Sequence, residues 1–305
     1  MTRAILFILA LDVCVLPLNA QDRDALDRFK SLDQNKDGKV TQKEAGKAAW
    51  VRYERMDFDG DGSVTPDEFH SFLTRQERPG CVPSSFTVAT FKNEKNDEIK
   101  YGWFAPRKLP KDMKVPLVLC LHGAGGSTRA AEVLSMPRMQ EKYPCFVMAP
   151  GCSKKEIWGN TDVIARQREY ERLPIIIEAI QSLVNKEAID PCRIYVTGQS
   201  MGGVGTWAAL ARYPNVFAAG VPVCGAWNPK DADKLAKTPV WAFHGATDAT
   251  VPPKWSRELT ESISKAGGTA KYTEYPDTGH GVWGKAYSTD ELWAWMFEQR
   301  LKKSE

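Results

Sequence analysis

No block of basic residues interleaved with aromatics occurs in this chain, and its 41 lysines and arginines nearly balance 38 acidic residues, a formal charge of +3. That balance excludes the electrostatic footprint of a nucleic-acid binder. Low-complexity tracts are also missing. The seven cysteines form no C-x-x-C pair and no zinc-type spacing, so neither thiol redox chemistry nor a zinc centre has support. The apolar stretch Ala4–Leu11 falls far short of the roughly 20 residues that cross a bilayer. Histidine is scarce. His70, His122, His244 and His280 make up the whole supply, which narrows any chemistry that needs an imidazole.

The length of 305 residues, 43% of them apolar, leaves room for one large domain and a small one. Arg3, the apolar stretch behind it and Leu18-Asn19-Ala20 read as an export signal over 1–20, cut after Ala20, and predict a secreted or periplasmic protein. Export makes disulfides available. Cys120 and Cys224 end apolar runs and read as core residues, whereas Cys81, Cys145, Cys152 and Cys192 are the candidates for bridging.

Residues 21–77 carry a repeated pattern. Asp33, Asn35, Asp37, Lys39, Thr41 and Glu44 stand at positions 1, 3, 5, 7, 9 and 12 of one twelve-residue loop. Asp57, Asp59, Asp61, Ser63, Thr65 and Glu68 do the same in a second. A hard cation that takes six to eight oxygens is served by these positions, with a bidentate glutamate last and a glycine (Gly38, Gly62) at position 6 for the sharp turn. The pattern is that of an EF-hand pair and predicts bound Ca2+ in a structural role. Val40 and Val64, at position 8, are expected to pair between the loops. Because the loops start only 24 residues apart, residues 42–56 are expected to form one shared helix.

Arg78-Pro79-Gly80-Cys81-Val82-Pro83 marks a linker over 78–85. Beyond it, 86–91 and 99–104 read as a hairpin. Strands near 115–121, 145–149, 193–197, 217–223, 239–243 and 270–275 alternate with helices near 127–142, 165–187, 201–213, 254–267 and 289–303. That alternation predicts an α/β domain over 86–305, a mostly parallel sheet with helices on both faces.

Within it, Gly198-Gln199-Ser200-Met201-Gly202 follows the strand Arg193–Thr197 directly. A G-x-S-x-G at a strand-to-helix turn lifts its serine hydroxyl out of the sheet. Such a serine needs a histidine to take its proton and a carboxylate to orient that histidine, in the chain order serine, acid, histidine. His280, in a loop, fits the base. Asp248, just past the strand 239–243, fits the acid, with Asp277 as its rival. The buried strand 115–121 runs into His122-Gly123-Ala124-Gly125-Gly126, so an oxyanion hole is expected from the backbone N–H of Met201 together with Gly123 or Ala124. Trp158, Trp227 and Trp283 fall on loops at strand ends and are expected to line a pocket, with the Gln199 amide beside the serine.

On these stretches, together with Ala242–Asp248 and Tyr275–His280, residues 86–303 resemble secreted bacterial α/β-hydrolases of the esterase type. The group holds polyhydroxybutyrate depolymerase-like, feruloyl and acetyl-xylan esterases and proteins described as peptidases related to prolyl oligopeptidase. The resemblance implies an α/β-hydrolase fold, a Ser200–Asp248–His280 triad and hydrolysis of carbohydrate-linked or other small carboxylic esters without a catalytic cofactor. The calcium loops lie outside that pattern and look like a fused module. Two alternatives stay open at this point: a serine peptidase acting on short peptides, and a non-catalytic calcium-dependent binding protein.

Overall fold

The computed structural model describes residues 20–53, 56–57, 62–74, 82, 85–106, 109, 112–124, 126, 128–163 and 170–301. The export stretch up to residue 19, the loop residues Asp59 and Asp61, and Cys81 lie outside the described residues.

The amino-terminal elements are helix α1 (Ala20–Lys30), strand β1 (Val40–Thr41), helices α2 (Gln42–Ala45) and α3 (Lys47–Tyr53), strand β2 (Ser63–Val64) and helix α4 (Pro66–Thr74). Strands β1 and β2 are antiparallel, with Val40 opposite Val64. The expected single helix over 42–56 is instead two. Gly46, with φ of 75°, takes a backbone conformation outside the right-handed helical range and closes α2 after one turn. Phe29, Val40, Trp50, Met56, Val64 and Phe69 form a core of their own, in which Phe29 stacks on Phe69 with 4.4 Å between ring centres.

The larger sheet begins with a hairpin of β3 (Thr87–Lys92) and β4 (Glu98–Phe104), then β5 (Val115–Leu121). Helices α5 (Arg129–Leu134) and α6 (Pro137–Lys142), strand β6 (Phe146–Pro150) and the short β7 (Glu156–Ile157) and β8 (Tyr170–Glu171) follow. The rest alternates: α7 (Leu173–Lys186), β9 (Ile189–Gln199), α8 (Met201–Arg212), β10 (Ala219–Val223), α9 (Ala232–Leu235), β11 (Val240–Gly245), α10 (Lys254–Lys265) and β12 (Ala270–Tyr275). Helices α11 (Trp283–Tyr287) and α12 (Asp290–Glu298) complete it. The helix expected over 127–142 is broken because Pro137 drives Met136 out of the helical region, to ψ of 140°.

The eight strands run in the order β12-β11-β10-β9-β5-β6-β4-β3. From β12 to β6 all neighbours are parallel, and the hairpin joins antiparallel at the β6 edge. Such a sheet must be covered on both faces, which is why β5 is apolar along its whole length and wholly buried. Helices α7, α8 and α10 seal one face with Ile176, Ile180, Val204, Trp207, Leu259 and Ile263. Helices α5, α6, α11 and α12 seal the other with Leu134, Met139, Tyr287, Leu292, Trp293 and Met296.

The strand order also places the site. From β5 the chain moves to β6 on one side, and then β9 returns to β5's other flank. The carboxyl ends of β5 and β9 therefore bound a topological switch point, where a crevice opens outside the sheet. Registry aligns the rims of this half-sheet: Leu121 faces Gly198, Gln199 faces Val223, Val223 faces Phe243 and Gly245 faces Tyr275.

Helix α8 packs so tightly behind β5 that a Cβ on Gly202 would collide with the Leu121 carbonyl. Gly202→Ala is therefore expected to cost about 1–3 kcal/mol or more, read as a lowered midpoint of urea unfolding. A midpoint equal to wild type would show that the helix can shift at no cost.

Candidate active site

Ser200 ends β9 and opens α8 in a conformation (φ 56°, ψ −116°) that few residues other than glycine adopt. Its N–H donates to the Val223 carbonyl at 2.9 Å, which ties the turn to the neighbouring strand end. The hydroxyl lies 2.8 Å from His280 Nε2, and His280 Nδ1 lies 2.7 Å from Asp248 Oδ2. The His280 side chain is 22% exposed and that of Asp248 is not exposed at all, so the row runs from solvent into the protein. The two loops that carry Asp248 and His280 meet at Gly245, where a Cβ would strike the carbonyls of Thr278 and Gly279. The Thr247 N–H adds a bond to Thr278 O at 3.2 Å. Asp277 is exposed in the turn, and the carboxylate that His280 Nδ1 meets is that of Asp248.

Asp248 is held from every side. Its Oδ1 accepts the N–H groups of Thr250 and Val251 at 2.8 and 2.9 Å. Its Oδ2 accepts from His280 and lies 3.2 Å from Nε2 of His244. A carboxylate with no exposed surface needs such donors, because an unpaired buried charge costs several kcal/mol.

The loop after β5 is built around His122, buried and lowered in pKa by that burial. Its Nε2 accepts the Cys152 N–H at 3.0 Å, so the proton sits on Nδ1, which donates to the Gly123 carbonyl at 2.7 Å. A trans peptide points its C=O and N–H in opposite directions. With the Gly123 carbonyl turned to the imidazole, the Ala124 N–H faces the other way. At the start of α8, the Met201 N–H belongs to the first turn, whose donors have no partner within the helix. Gly123 itself lies over the serine, its missing Cβ 3.6 Å from Ser200 Cβ.

A hydrogen-bonded Ser–His–Asp row at the switch point of a mostly parallel sheet agrees with the family model that matches residues 109–291, described as the dienelactone hydrolase family. The chain belongs to the dienelactone hydrolase family. Its fold is that of the α/β-hydrolases, and by class it is a carboxylic ester hydrolase. A probable carboxylesterase of Arabidopsis thaliana is 27% identical over 212 residues, 61% of this chain and 79% of that one. Poly(3-hydroxyalkanoate) depolymerase C of Paucimonas lemoignei is 25% identical over 57% of this chain and 50% of its own. Among solved structures, a thermostable esterase is 35% identical with a TM-score of 0.65, covering 71% of this chain and 63% of that one. The chain thus spans half of the depolymerase and less than two thirds of the thermostable esterase. An EF-hand model matches residues 26–44 and 54–73.

Three of the four side chains expected to meet substrate in this hydrolase are committed elsewhere. Trp158 is fully buried, its Nε1 donating to the His122 carbonyl at 2.9 Å and its ring edge-on to the His122 imidazole, so it props the loop from beneath. Trp227 is also buried, with Nε1 on Asp231 at 2.9 Å and the Arg212 guanidinium 5.5 Å from its ring. The Gln199 side-chain Oε1 accepts the Arg129 N–H at the start of α5. Trp283 alone keeps a half-buried place beside the row, its ring 5.8 Å from that of His280 and perpendicular to it. Cys145, a candidate for bridging, is an unbridged thiol in the core, pushed up to about 12 by burial, and Cys192 is unbridged as well.

Residue-by-residue reading of the sequence missed His244 and Cys224, both of which sit against the row. A histidine closing an otherwise apolar strand was the available signal for His244. The Cys224 thiol, Asp248 carboxylate and His280 imidazole lie within 4.8 Å of one another. Burial pushes that thiol up to about 12.

The amino-terminal loops, by contrast, fit a cation. Asp33 accepts N–H bonds from Asp37 and Gly38, folding the first loop around its own carboxylate. Glu44 Oε2 takes the N–H and hydroxyl of Thr41 at 2.9 and 2.8 Å, while Oε1 is buried without a hydrogen-bond partner. The Thr41 N–H holds that carboxyl below the usual range. Glu68 makes the same two bonds to Thr65, at 2.7 and 2.8 Å. An ionised carboxylate with one inward oxygen left over is what position 12 of a calcium loop requires.

His122 and His244 both have pKa values lowered by burial, so below about pH 6.5 the unfolded chain binds more protons than the folded one. Stability is then expected to be fully present above that pH and to fall on acidification through it. Melting temperatures between pH 7.5 and 5 check this, and His122→Gln should flatten the slope. An unchanged slope in the variant would remove His122 from the account.

Proposed function

We propose that this chain is an exported serine esterase that transfers an acyl group from a small carboxylic ester to water. The observation that carries the reading is the pair of contacts that His280 makes, 2.8 Å to Ser200 and 2.7 Å to Asp248. In the first half-reaction His280 Nε2 takes the Ser200 proton as Oγ attacks the ester carbonyl. Asp248 keeps the imidazole in the tautomer with its proton on Nδ1 and stabilises the cation that forms. The oxyanion is met by the N–H groups of Met201 and Ala124, donors already aimed before substrate arrives. The alcohol leaves with the proton from His280, and a water activated by the same imidazole releases the acid.

Of the three tryptophans expected at the pocket, Trp158 and Trp227 are buried and Trp283 stands beside His280. That favours small esters, and carbohydrate-linked ones remain within the class through their compact acyl groups. The two EF-hand loops hold Ca2+, supported by the leftover Glu44 oxygen, and the ion stiffens the amino-terminal core. Residues 1–20 direct export, a reading that rests on their charge and apolar pattern.

Ser200→Ala is expected to lower turnover of acetyl and butyryl chromogenic esters by at least about 10³-fold while leaving the melting temperature within a few degrees. Cleavage of a prolyl anilide in preference to every ester would replace the esterase reading with a peptidase. Calcium removal by chelation should lower the melting temperature and spare turnover at low temperature, and Glu44→Ala with Glu68→Ala should abolish that dependence. Equal loss of turnover at all temperatures would assign the ion a part in the reaction.

A further inference from the structure

The hydrogen bonding of the site does not end at Asp248. His244 closes β11 with no exposed surface on its side chain. Its Nε2 faces two oxygens that carry no hydrogen, the Val251 carbonyl at 2.9 Å and Asp248 Oδ2 at 3.2 Å. Either contact is favourable only if Nε2 bears a proton. The other ring nitrogen, Nδ1, lies 2.8 Å from the hydroxyl of Ser256 on α10. Burial lowers the pKa of the ring, so in its neutral form Nδ1 is a lone pair and Ser256 is its donor. The Gly225 carbonyl, at 3.4 Å from Ser256, is too distant to compete well for that proton. Every hydrogen in the chain then has one direction: Ser256 to His244, His244 to Asp248, His280 to Asp248, Ser200 to His280.

We propose that His244, oriented by Ser256, is a positioning residue of the reaction, holding the Asp248 carboxylate and sharing its Oδ2 with His280. The proposal rests on the Ser200–His280–Asp248 reading above. A histidine with a merely structural duty needs only backbone partners, whereas this one spends its single N–H partly on the oxygen that orients the base. The geometry gives it two effects. With Oδ1 fixed on the Thr250 and Val251 N–H groups and Oδ2 against His244, the carboxylate cannot rotate away from His280. By taking part of the charge on Oδ2, the His244 N–H also weakens the pull of Asp248 on the His280 proton.

Other titratable groups around His244 do not supply either effect. Cys224 is a neutral thiol near 12. Glu274, opposite His244 in the β11–β12 register, is held below the usual carboxylate range by its bidentate pairing with Arg257 and also bonds the Tyr272 hydroxyl. Both Glu274 and Arg257 stay charged across the pH range in which the reaction would be followed.

The test measures kcat, KM and the pH dependence of kcat/KM for Ser200→Ala, His244→Asn, His244→Gln and Ser256→Ala, with melting curves for each. Asparagine is too short to reach Asp248, while glutamine can place its amide N–H near the position of imidazole Nε2. His244→Asn is expected to lower kcat on the order of tenfold, leave KM within about twofold, and move the acid limb of the profile up by about half a pH unit. His244→Gln should recover most of both changes, and Ser256→Ala, which frees the ring to adopt the other tautomer, should fall between. Wild-type kcat and acid limb in a folded His244→Asn would overturn the proposal. So would equal losses in the asparagine and glutamine variants with the limb unmoved, since that is the signature of packing alone. If neither His244 variant folds, Ser256→Ala decides, and an unchanged kcat and profile there overturns it. Activity surviving in Ser200→Ala would instead bring down the triad reading itself.

Discussion

Burying the charge of Asp248 is the constraint from which the arrangement of the site follows. A carboxylate with no exposed surface must find a donor for each oxygen, and here the donors come from three separate places: the loop just after it, the end of β11 and the His280 loop. Each donor restricts a different segment, so satisfying the carboxylate also fixes where His280 stands. The close approach at Gly245, whose missing side chain lets the His280 loop lie against the strand end, makes the arrangement sterically possible. Electrostatics and packing therefore select the same loop geometry.

The serine end is governed by a different requirement. The parallel sheet leaves a crevice where β5 and β9 diverge to opposite sides, and the backbone reversal from β9 into α8 carries Ser200 to its edge. The positive φ at Ser200 is unfavourable for a residue with a Cβ, and it is sustained by the tight seating of α8 on β5 and the bond from the Ser200 N–H to Val223. Across the crevice, His122 and Trp158 turn the Gly123 carbonyl inward. The Gly123 backbone and the Ser200 hydroxyl thus stand on one rim, shaped from beneath by buried side chains.

The amino-terminal module has its own core and its own logic. Five buried apolar residues close around Phe29, and the short β1–β2 pairing couples the two loops so that each loop geometry supports the other. The oxygen left over for a cation lies on Glu44, at the end of the first loop.

Local sequence was sufficient wherever a short-range rule dictated the outcome. The α/β alternation, the turn at Ser200, the twelve-residue loops and the pairing of Val40 with Val64 all follow from periodicity and from residues at fixed offsets. The members of the hydrogen-bonded row, Ser200, Asp248 and His280, could be picked out because chain order and the scarcity of histidine left few choices. Tertiary structure alone decided which way side chains turned. Trp158, Trp227 and Gln199 sit on loops at strand ends, and nothing in their neighbours along the chain distinguishes a pocket wall from a prop. Gln199 is held by the start of α5 and Trp158 by the His122 loop, both distant in sequence, while Trp227 turns to Asp231 in the adjacent turn. His244 likewise reads as an ordinary strand residue until α10 brings Ser256 to one side of its ring and the Asp248 loop returns to the other. A hydrogen bond is directional and reaches only about 3 Å, so its partners are settled where the chain has come back on itself, and the order of residues cannot list them beforehand.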